Sequence, residues 1–223
     1  MFNRTTLLIL MAALAAGLGL WAAQVLFGPQ RTVAAAAPAV AEGPAMDPAS
    51  MKTVRLFPQP RKVPDFTLLE SDGTALSAKE LQGRWTVVFF GFTHCPDVCP
   101  TTLSELALVQ KQWAGLDPAT RPQVLFVSVD PERDTPGKTG EYAGYFHPDT
   151  LAAILPEPAL QAFANSLGMV YMKVPTEAGD YTMDHSTALV LLDPRGRQAG
   201  IIRPPFVPAD IAADLIALSK AAP

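Results

Sequence analysis

The segment "RWTVVFFGFTHCPDVCPTTLSEL", residues 84–106, constrains the fold more than any other part of this chain. It opens on a β-branched and aromatic run, "RWTVVFFGF", the pattern of a strand buried on both faces. A strand of that kind needs neighbours along its edges and helices over its faces. A helix follows, with Leu103, Leu106, Val109 and Trp113 at helical spacing. The loop between strand and helix holds both cysteines of the chain, Cys95 and Cys99, and one of its three histidines, His94.

The remaining sequence continues the alternation. "PDFTLLESDGTALSAKEL" predicts a strand, a turn at Ser71-Asp72-Gly73 and a short helix ending before Gly83. "QVLFVSVD" predicts a second buried strand. "TPGKTGEYAGYF" and "EPALQAFANSLG" predict helices. "GMVYMKV", "STALVLLD" and "QAGIIR" predict strands, the last two forming a hairpin around Asp193-Pro194-Arg195-Gly196, and "PADIAADLIALSKAA" closes the chain as an amphipathic helix. Strands alternating with helices, with one antiparallel hairpin, predict an α/β fold built on a mixed sheet flanked by helices.

Charged residues make up only 17% of the chain, so apolar residues are concentrated somewhere. They lie at the N-terminus. Residues 7–27, "LLILMAALAAGLGLWAAQVLF", carry no charge, and 21 residues of helix span about 32 Å, enough for a bilayer core of about 30 Å. The expectation is an uncleaved transmembrane anchor over 7–27. A cleaved signal peptide is the alternative, with Ala35–Ala37 as an A-x-A site. Arg4, the sole charge before the span, predicts that residues 1–6 are cytoplasmic. The rest then faces the periplasm of a bacterial inner membrane, where disulfides can form. Residues 28–57, rich in Ala and Pro, are expected to be a linker, and residues 58–223 the working domain. A net charge of −4 gives no basic excess that would point to nucleic acid.

The thiols sit where a strand meets a helix N-terminus. Pro100 suits the first helical position, while Thr102 and Glu105 have capping-box spacing, which leaves two alternative helix starts two residues apart. The helix dipole at that end predicts depressed thiol pKa values. A disulfide between Cys95 and Cys99 would close a very short loop and stabilise little, which weakens a purely structural role. Redox and metal roles remain. Two thiolates are an incomplete zinc site but suit Cu(I), with a third ligand drawn from elsewhere. His94 adjoins Cys95 and is expected to point away from whatever Cys95 faces. His147 reads as a cap or surface residue. His185 lies just before a buried strand, with Met183 two residues away, after the loop "KVPTEAGDYTM". Asp130 and Asp134 in "SVDPERDTP" read as turn and cap residues, with Thr135 a second cap candidate, or as groups near the thiols. Asp97, between the cysteines, reads as a partner contact or a solvated residue.

"GFTHCPDVCPTTLSEL", "FVSVDPERDTP" and "DHSTALVLLDP", in this order, resemble the Sco/SenC family of membrane-anchored copper-binding proteins. The resemblance covers roughly residues 60–220. It implies a thioredoxin-like fold with an insertion. It implies one copper ion, Cu(I) or Cu(II), bound by Cys95, Cys99 and His185. It further implies a role in assembling the binuclear copper centre of cytochrome c oxidase, with the oxidase's copper-receiving subunit and other periplasmic copper carriers as partners. The family is described both as a copper donor and as a thiol–disulfide reductase that prepares the receiving cysteines. As a reductase, Cys95 and Cys99 would be the redox pair, but the C-x₂-C spacing of thioredoxin-like reductases is absent. A peroxidase and a copper or redox sensor are the other rivals. The composite expectation is a metallochaperone rather than an enzyme.

Overall fold

In the computed structural model, which describes residues 50–177 and 179–221 together with residues 3, 11 and 14, the run of residues 86–91 forms a strand whose six residues are all buried. The strands in chain order are β1 (Val54–Arg61), β2 (Thr67–Glu70), β3 (Ala75–Ser77), β4 (Thr86–Gly91), β5 (Gln123–Ser128), β6 (Thr150–Ile154), β7 (Tyr171–Pro175), β8 (Tyr181–His185), β9 (Leu189–Leu192) and β10 (Gln198–Ile202). The helices are α1 (Val98–Trp113), α2 (Pro136–Phe146), α3 (Ala159–Ser166) and α4 (Pro208–Ala221). Eight strands form one sheet in the order β1-β10-β9-β4-β5-β6-β2-β3, and β7 and β8 form a separate two-stranded sheet.

Parallel pairing is confined to β4–β5–β6, where α1 and α2 supply the crossovers that parallel neighbours require. The other pairings are antiparallel, so the sheet is mixed as expected. The core runs through β4 and β5. Phe89, Phe90, Phe126 and Leu125 are shut off from solvent there, with Leu103, Leu106 and Trp113 of α1 and Ile211 and Leu215 of α4. Helix α1 packs on α4, and α2 packs on β6.

Three expectations are corrected, and one strand is unforeseen. The working domain, expected from residue 58, starts earlier, because β1 begins at Val54 inside the supposed linker and pairs with β10. Asp214 of α4, buried, accepts bonds from the backbone N–H groups of Lys52, Thr53 and Val54 at 3.1, 2.8 and 3.0 Å, which fixes that start. Prolines at 58 and 60 hide the strand from sequence reading, yet they are tolerated at a sheet edge. Residues 78–83, expected to hold a short helix, form turns after a β2–β3 hairpin. β6 has no predicted counterpart: its Ala-rich sequence has little strand character, and only pairing with β5 and β2 makes it a strand. The third correction concerns the segment before His185. It is no open loop but the β7–β8 hairpin.

The transmembrane helix expected over residues 7–27 and the linker up to residue 49 lie outside the described residues, Met11 and Leu14 excepted. Among the described residues, no helix is long and apolar enough to cross a membrane.

Candidate metal centre

The C-terminal end of β4 delivers the chain to the cysteine loop. Asp97 stands at the helix N-cap without a side-chain capping bond, and α1 starts at Val98. The helix thus starts two residues before Pro100, earlier than either expected start, and Pro100 falls within the first turn, where its missing N–H costs no hydrogen bond. Cys99 lies in that turn and is fully buried, whereas Cys95 precedes the helix and is half-buried. Both thiols are free. The backbone N–H of Cys99, one of the unpaired donors of a helix start, points to Cys95 Sγ at 3.3 Å. Gly91 makes room for this arrangement. A Cβ there would stand 2.8 Å from the Phe126 ring and 3.0 Å from Cys99 Sγ.

His185 approaches from the other side. It ends β8, and its Nε2 lies 3.7 Å from Cys99 Sγ. Its Nδ1 lies 3.0 Å from the Ser186 carbonyl oxygen. A carbonyl only accepts, so Nδ1 carries the proton and Nε2 presents its lone pair towards the thiol. Burial pushes the imidazole pKa down, keeping the ring neutral and competent as a ligand. The rings of Phe92 and Phe89 stand edge-on to it, with centroids at 6.1 and 6.4 Å. In front lies a hollow of about 140 Å³, lined among others by Phe92, Cys95, Met183 and His185.

The expected lowering of both thiol pKa values is corrected at Cys99. Burial pushes that thiol far up, and the bonding and charge of Cys95 push the same way. Desolvation of a fully buried sulfur outweighs the helix-terminus effect. As placed, the three sulfur and nitrogen donors do not enclose a point. Among the described residues, no three His, Cys, Asp or Glu side chains are already gathered as a ready metal site. The close pair is Cys99–His185, with the half-buried Cys95 lining the same hollow.

Residues 56–220 match the SCO1/SenC family model. The chain belongs to the SCO1/SenC family. It is 39% identical over 132 residues to the mitochondrial SCO1 homolog 1 of Arabidopsis thaliana, a match covering 58% of this chain and 38% of that relative's length. Two solved structures of the family superpose well. Bradyrhizobium japonicum ScoI with copper bound is 38% identical, with a TM-score of 0.63, covering 69% of this chain and 97% of that one. Yeast Sco1 with copper bound is 26% identical, with a TM-score of 0.66, covering 74% and 91%. The mixed α/β architecture is thus the thioredoxin-like Sco fold.

The other sequence candidates separate within this frame. His94 turns away from the hollow, as expected; its Nδ1 is 3.1 Å from Thr93 Oγ1 and 3.5 Å from Asp134. His147 caps α2, donating its backbone N–H to the Ala143 carbonyl. Thr135 is the N-cap of α2, accepting from the Lys138 N–H at 3.4 Å. Asp134, a cap candidate in the sequence, has a different task. Fully buried, it accepts from the Thr93 N–H at 2.9 Å, from Thr93 Oγ1 at 2.5 Å and from Ser128 Oγ at 2.5 Å, tying the cysteine loop to the end of β5. Met183 is buried beside His185 and lines the same hollow.

Asp130 is buried and receives bonds from Arg133 Nε and from the Tyr181 hydroxyl, the latter at 2.8 Å. Burial, then that bond, pushes the Tyr181 phenol up to about 12. Arg133 and Tyr181 were not candidates in the sequence. Arg133 sits in the same "DPERD" run as the two aspartates, but only its position over the hairpin gives it significance. Gly91 carried no signal beyond its place at a strand end before the cysteines.

Proposed function

We propose that this chain carries one copper ion, held by Cys95, Cys99 and His185, and delivers it to the copper-receiving subunit of cytochrome c oxidase during assembly of the binuclear copper centre. One observation carries the reading: the unprotonated Nε2 of His185 faces Cys99 Sγ at 3.7 Å, with Nδ1 engaged by a backbone carbonyl. That is how metal-binding histidines are oriented. The donor set fits copper. Two soft sulfurs favour Cu(I), and a neutral imidazole nitrogen makes Cu(II) tolerable. Cys95, the less buried of the two thiols, is where an incoming ion or a partner's thiol makes first contact. Binding costs the Cys99 proton, since only the thiolate ligates. Residues 7–27 anchor the domain in a bacterial inner membrane and the segment after them tethers it on the periplasmic side, within reach of other copper carriers and of the oxidase.

A second reading has its own support. Cys95 is accessible, is backed by a helix N–H and has a buried thiol four residues on. Attack of the Cys95 thiolate on a substrate disulfide, followed by attack of Cys99 on the mixed disulfide, would release two substrate thiols and leave Cys95–Cys99 oxidised. This is the reductase that readies the receiving cysteines.

The test is metal stoichiometry of the reduced, detergent-solubilised chain loaded anaerobically. One copper per chain is expected, with a thiolate-to-Cu(II) absorption band that changes in His185→Ala. Fully reduced thiols that retain no copper would remove the carrier reading in favour of the reductase.

A further inference from the structure

His185 rides on the β7–β8 hairpin, outside the eight-stranded sheet. Its place opposite Cys99 therefore depends on what holds that hairpin down. At the root, Ser186 and Val170 exchange two bonds, from the Ser186 N–H to the Val170 carbonyl at 2.9 Å and from the Val170 N–H to Ser186 Oγ at 3.1 Å. The far end has a different clamp. Arg133, in the loop between β5 and α2, donates from Nη1 to the Tyr181 carbonyl at 2.9 Å. Its guanidinium carbon stands 3.7 Å from the Tyr181 ring centroid and 6.0 Å from that of Phe92. Nε is held by the buried Asp130, which also takes the Tyr181 hydroxyl. Asp180 lies 3.7 Å from Nη1, and Lys173 of β7 pairs with Glu132 from the same loop.

We propose that Arg133 is a positioning residue for the metal centre, clamping Tyr181 between Asp130 and its own guanidinium so that β8 presents His185 to Cys99. The line of contact is continuous. Asp130 orients Arg133, Arg133 covers Tyr181 and Phe92, and Phe92 stands edge-on to the His185 ring. Tyr181 and His185 are the two ends of one five-residue strand, so freedom at one end is freedom at the other. The guanidinium is needed as a plane with a fork of donors, to bond Asp130 and the Tyr181 carbonyl while lying on an aromatic face. A lysine ammonium cannot do all three.

The proposal rests on His185 being a ligand, and oxidation state separates its failure from the failure of that reading. Two cysteines suffice for Cu(I), whereas Cu(II) needs the imidazole. Copper affinity is measured by competition in both oxidation states for the wild-type full chain, Arg133→Lys, Arg133→Gln, Tyr181→Phe and His185→Ala. Thermal unfolding of each variant, together with hydrogen exchange of residues 171–185 without metal, completes the set. Arg133→Lys and Arg133→Gln should lose roughly tenfold or more in Cu(II) affinity, the usual loss for groups that orient a ligand, with Cu(I) affinity nearly kept. Hairpin amides should exchange faster in these variants while β4 and β5 stay protected. Tyr181→Phe, which keeps the ring and loses the hydroxyl, should show a smaller loss. Equal losses for Cu(I) and Cu(II), or unchanged exchange in the hairpin, would overturn the clamp. If His185→Ala leaves Cu(II) affinity unchanged, the ligand assignment itself fails. If His185→Ala is impaired and the Arg133 variants are not, only the clamp fails.

Discussion

The two cysteines and the histidine reach the same spot by unlike routes. The cysteines follow the end of β4, Cys95 in the loop and Cys99 in the first turn of α1, and β4 lies in the middle of the sheet with parallel β5 on one side and antiparallel β9 on the other. The histidine stands on a hairpin that, among the described residues, pairs with no strand outside itself and is held by side-chain bonds, ion pairs and aromatic faces. One half of the site is thus built into the core, and the other half is laid against it. A buried strand can shift only if the domain rearranges, whereas a clamped hairpin can loosen alone. On the proposed reading, in which the chain takes up an ion and gives it away, this difference would supply a fixed anchor and a movable third ligand.

The largest expected effect breaks the anchored half. Phe89→Ala removes a fully buried ring packed on Phe126 at a centroid distance of 5.7 Å. It should lower the unfolding free energy by about 3–5 kcal/mol, read by urea denaturation. A cost below 1 kcal/mol would show that β4 is not the anchor claimed for it.

Gly91→Ala comes next. Its new Cβ must displace the Phe126 ring or Cys99 Sγ, an overpacking worth about 1–3 kcal/mol. It should also change the reactivity of Cys99 towards a thiol reagent. A stable variant with native thiol behaviour would mean that β4 yields more easily than its burial suggests.

Acidity acts on both halves together. Burial raises the Cys99 pKa, so the unliganded thiol is protonated at neutral pH, and on the proposed ligation copper displaces that proton. Apparent copper affinity should therefore rise with pH, about tenfold per unit for each proton released. The His185 pKa is lowered, so it adds no proton to displace until the pH falls below its depressed value. A pH-independent affinity between 6 and 8 would contradict the buried, protonated Cys99.

The smallest effect belongs to the hairpin. Tyr171 donates its hydroxyl to Glu157, and Tyr171 is the cross-strand neighbour of His185. Tyr171→Phe should cost at most about 1 kcal/mol of global stability, while hydrogen exchange of residues 171–175 quickens. Unchanged exchange would leave the hairpin's hold to Arg133 and the Val170–Ser186 pair.

How much was legible follows the same division. β4, β5, α1 and the closing helix announce themselves because burial on both faces, or on one helical stripe, leaves a periodic trace. The cysteine loop is legible from local order alone, since thiols next to a strand end and a helix start can go nowhere else. β1, β6 and β8 leave weak traces. β1 carries prolines at 58 and 60, β6 is rich in alanine, and β8 is half polar, so each becomes a strand only by finding its partner. Asp134 illustrates the limit. Beside Thr135 and Pro136 it reads as a cap, but Thr135 takes that role, and the fold withdraws Asp134 to hold Thr93 and Ser128, 41 and 6 residues away.

The class of fold, the placement of Cys95 and Cys99 at a helix start, and the donor types present follow from the order of residues along the chain. Only the tertiary structure decided that Cys99 is buried and holds its proton while Cys95 is reachable, that His185 turns Nε2 to the thiol, and that Arg133 clamps the strand bearing it. The physical reason is range. Strand and helix periodicity are written within about ten residues of chain, but desolvation and the meeting of Cys99 with a histidine 86 positions later depend on which surfaces the folded chain brings together.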